Sequence, residues 1–184
     1  MKKKYILVLF FFLIINKLYS EEIMIMELKD GIVELELYAD IAPNHVERFK
    51  DLAKKGLYDG VVFHRVIEGF MAQSGDVKFG NSNSKDFNLS LAGTGGSDMP
   101  DLKSEFSDVP HDRGVLSAAR SADPNSANSQ FFICFQPAPH LDRQYTVFGK
   151  VLEGMEFVDK IKRGDDSNNG SVTDPDKIIS FKSK

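Results

Sequence analysis

The first residue whose surroundings suggest chemistry is Arg65. It lies in Phe63-His64-Arg65-Val66-Ile67-Glu68-Gly69-Phe70-Met71-Ala72-Gln73, among apolar, aromatic and thioether neighbours. An arginine at the centre of such a strand either finds a carboxylate or faces a cleft, because burying it unpaired costs several kcal/mol. A second stretch, Gln130-Phe131-Phe132-Ile133-Cys134-Phe135, alternates as a strand, with Gln130, Phe132 and Cys134 on one face and Phe131, Ile133 and Phe135 on the other. If the second face is core, Phe132 stands beside an amide, as in a shallow apolar pocket with a polar handle. A central strand covered on both sides produces the same pattern. The third stretch, Pro139-His140-Leu141-Asp142-Arg143-Gln144-Tyr145-Thr146-Val147-Phe148-Gly149, is a turn leading into a strand.

Several other chemistries are poorly served. His45, His64, His111 and His140 are scattered without metal-site spacing, so no metal is expected. No Gly-x-Ser-x-Gly elbow is present. Cys134 has no nucleophile signature and reads as a small buried hydrophobe. As the single cysteine, it excludes an intrachain disulfide framework. Gly93-Thr94-Gly95-Gly96 lacks the lysine, hydroxyl residue and helix of a phosphate-binding loop, and is read as a tight turn.

The elements that must position these residues are mostly short strands. Ile23–Leu28 and Ile32–Tyr38 flank the turn Lys29-Asp30-Gly31 and form a hairpin in which Val33, Leu35 and Leu37 alternate with Glu34 and Glu36. Pro43 opens a helix with Val46, Phe49, Leu52 and Ala53 on its apolar face, stopped at Gly56. A second helix is expected from about Glu153 to Arg163, closed by Gly164. Further strands are expected around Val61–Ile67, Met71–Gln73, Val115–Ala119, Gln130–Phe135, Val147–Val151 and Lys177–Lys182. Many short strands with two isolated helices favour a closed or nearly closed antiparallel barrel, which hides strand edges. Residues 76–113 form a long polar connection, and loops of that length inside compact domains are usually functional or mobile.

At 184 residues, 42% hydrophobic and 27% charged, the chain is of ordinary globular composition. Residues 1–20 read as a signal peptide: three lysines precede an apolar run from Tyr5 to Ile15, and Ser20 suits the position before a cleaved bond. An uncleaved anchor is the alternative. Setting aside Lys2, Lys3, Lys4 and Lys17 leaves 19 basic against 27 acidic residues, a net of −8 for residues 21–184. A domain that acidic is ill suited to neutralising phosphates, so no nucleic-acid partner is expected.

Taken together, Phe63-His64-Arg65, Gly69-Phe70-Met71-Ala72-Gln73-Ser74-Gly75-Asp76, Gly93-Thr94-Gly95-Gly96, Asn128-Ser129-Gln130-Phe131-Phe132-Ile133, His140-Leu141-Asp142 and Val147-Phe148-Gly149-Lys150-Val151 resemble the cyclophilin family in order and spacing, from about Ile23 to Phe181. The resemblance implies a mainly β fold, a closed eight-stranded antiparallel β-barrel capped by two α-helices. It implies peptidyl-prolyl cis–trans isomerase activity without a cofactor, on proline-containing peptides and unfolded proteins, by a monomer assisting the folding of exported proteins. Carried over residue by residue, Arg65 is the catalytic arginine, and Phe70, Met71, Phe132 and Leu141 line the proline pocket. Gln73 and the backbone at Ala119 and Arg120 hold the substrate's peptide groups, Gln130 supports them, and His64 lies nearby. His140 stands where many members have tryptophan, which implies weak cyclosporin binding. Tyr145 replaces a frequent histidine, and Arg120 a common asparagine. The rival readings are a non-catalytic proline-binding chaperone and a membrane-tethered scaffold. An exported, periplasmic location is expected, with anchoring to the inner membrane as the alternative.

Overall fold

The computed structural model describes residues 22–184. The expected signal peptide lies outside them. Strands β1 (Glu22–Leu28) and β2 (Gly31–Leu37) form the hairpin that the alternation predicts, with Met24 opposite Leu35 and Met26 opposite Val33. Met24, Met26, Leu28, Val33, Leu35 and Leu37 are buried on one face, while Glu34 and Glu36 stay at the surface side.

Helix α1 (Pro43–Lys54) starts on a proline, whose missing N–H costs nothing in a first turn. Its free N–H groups are met from a distance, since Glu105 accepts from the backbones of Asn44 at 3.1 Å and His45 at 3.0 Å. Gly56 follows the helix with φ +67°, the left-handed stop expected there. Phe49 on the inner face meets the rings of Tyr58, Phe131, Phe148 and Phe181 at centroid distances of 4.9–5.1 Å. These rings occupy the large core inside the sheet.

Strands β3 (Arg65–Ile67), β4 (Met71–Ser74), β5 (Val115–Ala118), β6 (Phe131–Cys134), β7 (Val147–Glu153) and β8 (Ser180–Ser183) complete the sheet. All neighbours are antiparallel, in the order β3-β4-β6-β5-β7-β2-β1-β8. The expected closed barrel is corrected here. The sheet is open, curled into a half-barrel with β3 and β8 as its edges. Two of the strands expected to close it are shorter than their apolar runs. The Phe63 N–H donates to Asp176, the Gly60 N–H to Ile178 and the Ile178 N–H to Val61, so irregular segments beside the two edge strands bond one another in place of a ladder. The Val62 N–H meanwhile goes to Gly80, which takes Val61–Phe63 out of the expected strand.

The second helix also differs from expectation. Helix α2 spans only Met155–Val158. The Lys162 N–H donates to the Asp176 carboxylate at 2.8 Å and the Gly164 N–H to the Val66 carbonyl at 2.9 Å, so tertiary acceptors capture the donors that further helical turns need. No helix among the described residues is long and apolar enough to cross a membrane.

The long connection between β4 and β5 is organised by one buried carboxylate. Asp76 accepts the N–H groups of Lys78 and Phe79 on one oxygen and those of Gly93 and Gly95, at 2.7 and 2.8 Å, on the other. The glycine-rich turn thus spends on the chain's own carboxylate the donors that a bound anion would use, as the tight-turn reading requires.

Candidate active site

The sheet register assembles the site. Arg65 on β3 lies opposite Gln73 on β4, Gln73 opposite Phe132 on β6, and Phe132 opposite Ser117 on β5. Residues directly paired across strands share a face and stand roughly 5 Å apart. One lateral row therefore puts a cation, an amide, an aromatic ring and a hydroxyl side by side. The row beside it, Ile67-Met71-Cys134, adds apolar volume.

Arg65 makes no ion pair among the described residues. Its Nε donates to the Asn169 carbonyl at 3.0 Å, Nη2 to the Asn169 Oδ1 at 3.0 Å and Nη1 to the Gln73 Oε1 at 3.2 Å. Of the two alternatives that its strand context left open, it faces a cleft. Burial pulls its pKa below the ordinary value, with Tyr145 acting in the opposite direction. A guanidinium has five N–H donors, so three engaged hydrogens leave one on each Nη.

The network continues along the site. Gln73 Nε2 donates to Gln130 Oε1 at 3.0 Å, and Gln130 Nε2 donates to the carbonyls of Gly93 and Gly95 at 3.0 and 2.7 Å. Each amide is thereby oriented, since its oxygen receives and its nitrogen gives.

Beside the guanidinium lies a cavity of about 180 Å3 whose walls include Arg65, Phe70, Met71, Phe132 and Leu141. Gln73, Ala119, Arg120 and Tyr145 complete it. Met71, Phe132, Cys134, Ala138 and Leu141 form a small apolar cluster, separate from the large core, that backs this cavity. Burial raises the Cys134 thiol to about 12, which fits the inert reading. A polar cavity of about 430 Å3 adjoins, sharing Gln73, Ala119 and Arg120 and adding Gln130, Asn128 and the glycine-rich turn. Ala119 donates its N–H to the Gln130 carbonyl at 3.0 Å, which ties this shared wall to β6.

Two expected site residues are not brought to the cavities. His64 is buried beneath the glycine-rich turn, where a Cβ on Gly93 would come within 3.0 Å of its ring. Burial pushes its pKa down to about 4, against an upward pull from Asp76. The reason is parity, because Arg65 faces the cleft and its neighbour in an extended chain points the other way. His140 is exposed and packs against Phe70 at 5.5 Å between ring centroids, outside the cavity lining.

Three contributors were absent from the expected set. Tyr145 walls the apolar cavity and meets Phe132 edge-on at 6.0 Å. Asn169 holds Arg65 from 104 residues away, at φ +52°, and no local pattern links the two. His111 lies parallel to the Phe132 ring at 6.2 Å and is bound by Asp142 and Ser117 at 2.9 and 3.0 Å. No local pattern marks His111 either, because its place against Phe132 follows only from the fold.

Comparison with known proteins points to one family. Residues 23–183 match the family model described as cyclophilin type peptidyl-prolyl cis-trans isomerase/CLD. A probable peptidyl-prolyl cis-trans isomerase of Brucella suis is 58% identical over 159 residues, covering 86% of this chain and 81% of that protein. A peptidyl-prolyl cis-trans isomerase of Helicobacter pylori is 44% identical over 139 residues, covering 73% of this chain and 77% of its own. Among solved structures, a Cryptosporidium parvum cyclophilin type isomerase, determined in the presence of the dipeptide Ala-Pro, superposes with a TM-score of 0.74 at 26% identity, over 89% of this chain and 99% of its own.

Proposed function

The chain belongs to the cyclophilin-type peptidyl-prolyl cis–trans isomerase family, and from that premise we propose how its residues perform the isomerisation. The reaction is rotation about an Xaa–Pro bond, opposed by a barrier of roughly 18–20 kcal/mol because amide resonance is lost. In the twisted transition state the prolyl nitrogen becomes pyramidal and gains a lone pair. Arg65 donates one of its free Nη hydrogens to that lone pair, an interaction that neither planar ground state offers, so it accelerates the step rather than merely tightening binding.

The observation that carries this reading is the state of the guanidinium. It is fixed by three bonds to neutral oxygens, opposed by no carboxylate among the described residues, and set against a cavity of about 180 Å3 in which Phe70, Met71, Phe132 and Leu141 supply an apolar wall. Phe132, Met71, Phe70 and Leu141 hold the proline ring and exclude water, which strengthens the developing hydrogen bond. Gln73, Gln130 and the backbone of Ala119 and Arg120 hold the flanking peptide groups. No proton is transferred and no covalent intermediate forms. Lowering the barrier by about 5 kcal/mol shortens tens of seconds to roughly ten milliseconds.

The test is exchange of an Xaa-Pro peptide by the full chain. Acceleration of both directions by one factor is expected. Binding of proline peptides without acceleration would overturn the catalytic reading in favour of a holding module. We further propose that the enzyme acts as an exported, periplasmic monomer on unfolded chains. The support for export is the lysine-led apolar run of residues 1–20. Mature protein from its own cells should begin near Glu21, and a chain still beginning at Met1 would favour the anchored form. His140 in place of tryptophan supports weak cyclosporin binding, for want of an indole donor and apolar area.

A further inference from the structure

Arg120 stands at the wall shared by the apolar and the polar cavity. Its guanidinium lies over the Tyr145 ring at 4.2 Å. Nη1 donates to the carbonyls of Ser121 and Ala122 at 2.9 and 3.4 Å, and Nη2 to that of Gln144 at 2.9 Å. Its Nε is buried without a partner among the described residues. Every acceptor is thus a neutral oxygen. The described arginine ion pairs use Arg113, Arg143 and Arg163, and none of the described acids neutralises Arg120.

The surroundings make that charge consequential. The charged side chains lining the two cavities are Arg65, Arg120 and Asp101, a net of +1 in a chain whose formal net is −4. The Asp101 carboxylate is already engaged by Asn128 Nδ2 at 2.9 Å. Tyr145, Ser121, Ala122 and Gln144 hold the guanidinium in one place, so its field is fixed with respect to the bound peptide. A fixed cation in a cleft selects charge on its ligand more strongly than a mobile surface lysine. An extended peptide advances about 3.3 Å per residue, so side chains within two residues of a proline seated in the apolar cavity lie within reach of that field.

We infer that Arg120 makes this isomerase selective for substrates carrying a carboxylate within two residues of the isomerising proline. The inference rests on the proposed site. The experiment measures cis–trans exchange by line shapes or exchange spectroscopy, using peptides that differ only in Glu, Gln or Lys at the positions flanking the proline. Each uncatalysed rate is measured separately, with the full chain and its Arg120→Gln and Arg120→Lys variants. At low ionic strength, wild-type kcat/KM is expected to favour Glu over Lys by about tenfold at one or more positions, with Gln between. The ratio should shrink severalfold near 0.5 M salt, where the Debye length is about 4 Å. Arg120→Gln should bring it within about twofold of unity, and Arg120→Lys, which keeps the charge on a mobile stem without the contacts to Ser121, Ala122, Gln144 and Tyr145, should retain only part of it. Equal kcat/KM for the Glu and Lys peptides overturns the inference while leaving the isomerase reading standing. A ratio that persists in Arg120→Gln overturns it as well. Absence of turnover on every peptide overturns the site reading and this inference with it. Should Arg120→Gln fail to fold, the wild-type salt dependence together with Arg120→Lys still decides the matter.

Discussion

Strand β6 buries both of its faces to almost the same degree, yet the faces serve different ends. Phe131 is 1% exposed and Phe132 5%. Phe131 points into the large core, edge-on to Phe49 at 5.1 Å and to Tyr58 at 5.8 Å. Phe132 points the other way, into the small cluster with Met71 and Leu141, and beyond it lies a cavity rather than more protein. Degree of burial therefore does not separate a packing residue from a site residue. What separates them is the strand parity, which carries Phe132 into one row with Gln73 and Arg65 and leaves Phe131 out of it.

The largest effect is expected on the core face. Phe131→Ala should cost about 3–5 kcal/mol of unfolding free energy, read from denaturant titration, while the folded fraction keeps its kcat/KM. A smaller stability loss than that of Phe132→Ala would break the comparison.

Acid should weaken the same core through its buried histidines. His64 is held neutral by burial, with a folded pKa of about 4 against about 6.5 in the unfolded chain. The unfolded state then binds the extra proton first. The stability that His64 contributes is complete above pH 6.5, declines as pH falls toward 4, and levels below it, a total of up to about 3 kcal/mol. Burial also lowers His45 and His111, and they act with the same sign. Unfolding midpoints from pH 7.5 to 4 should fall accordingly, and His64→Gln should flatten the profile. An unchanged slope in that variant would contradict the assignment to His64.

On the site face the balance reverses. Phe132→Ala is expected to lower kcat/KM by at least about tenfold through loss of apolar contact with the proline ring, with a stability loss below that of Phe131→Ala. Parallel activity measurements on the two alanine variants sharpen the contrast. The smallest effect is at the rim, where His140→Trp should lower the inhibition constant for cyclosporin by about tenfold with little change in turnover. Equal inhibition of the two proteins would contradict it.

The sequence carries these two faces unequally. The hairpin of β1 and β2, helix α1 and the alternation of β6 are legible because each depends on local periodicity and a turn or proline beside it. The open sheet is not, since closure depends on whether Val61–Phe63 meets a ladder or the irregular Asp176–Ile178 segment. The length of α2 fails for a related reason, because Asp176 and Val66 intercept its donors from elsewhere in the chain. Arg65, Gln73, Gln130, Phe132, Met71, Phe70, Leu141, Ala119 and Arg120 are brought to the cavities as expected. His64 faces inward by parity, and His140 lies at the rim against Phe70, placements that adjacency in sequence does not reveal. Asn169 and His111 were invisible because their importance lies in contacts across long sequence separations.

In the proposed mechanism Arg65 acts on the transition state and does not hold the fold. The most direct test is kcat/KM for an Xaa-Pro peptide with Arg65→Ala and Arg65→Lys, alongside thermal unfolding of both. A loss of about a hundredfold or more is expected in the alanine variant, with a cooperative transition preserved because no ion pair is lost. Lysine should restore little, since an ammonium cannot reproduce the planar fork held by Asn169 and Gln73. Near wild-type kcat/KM in Arg65→Ala, or loss of its cooperative transition, would contradict the claim.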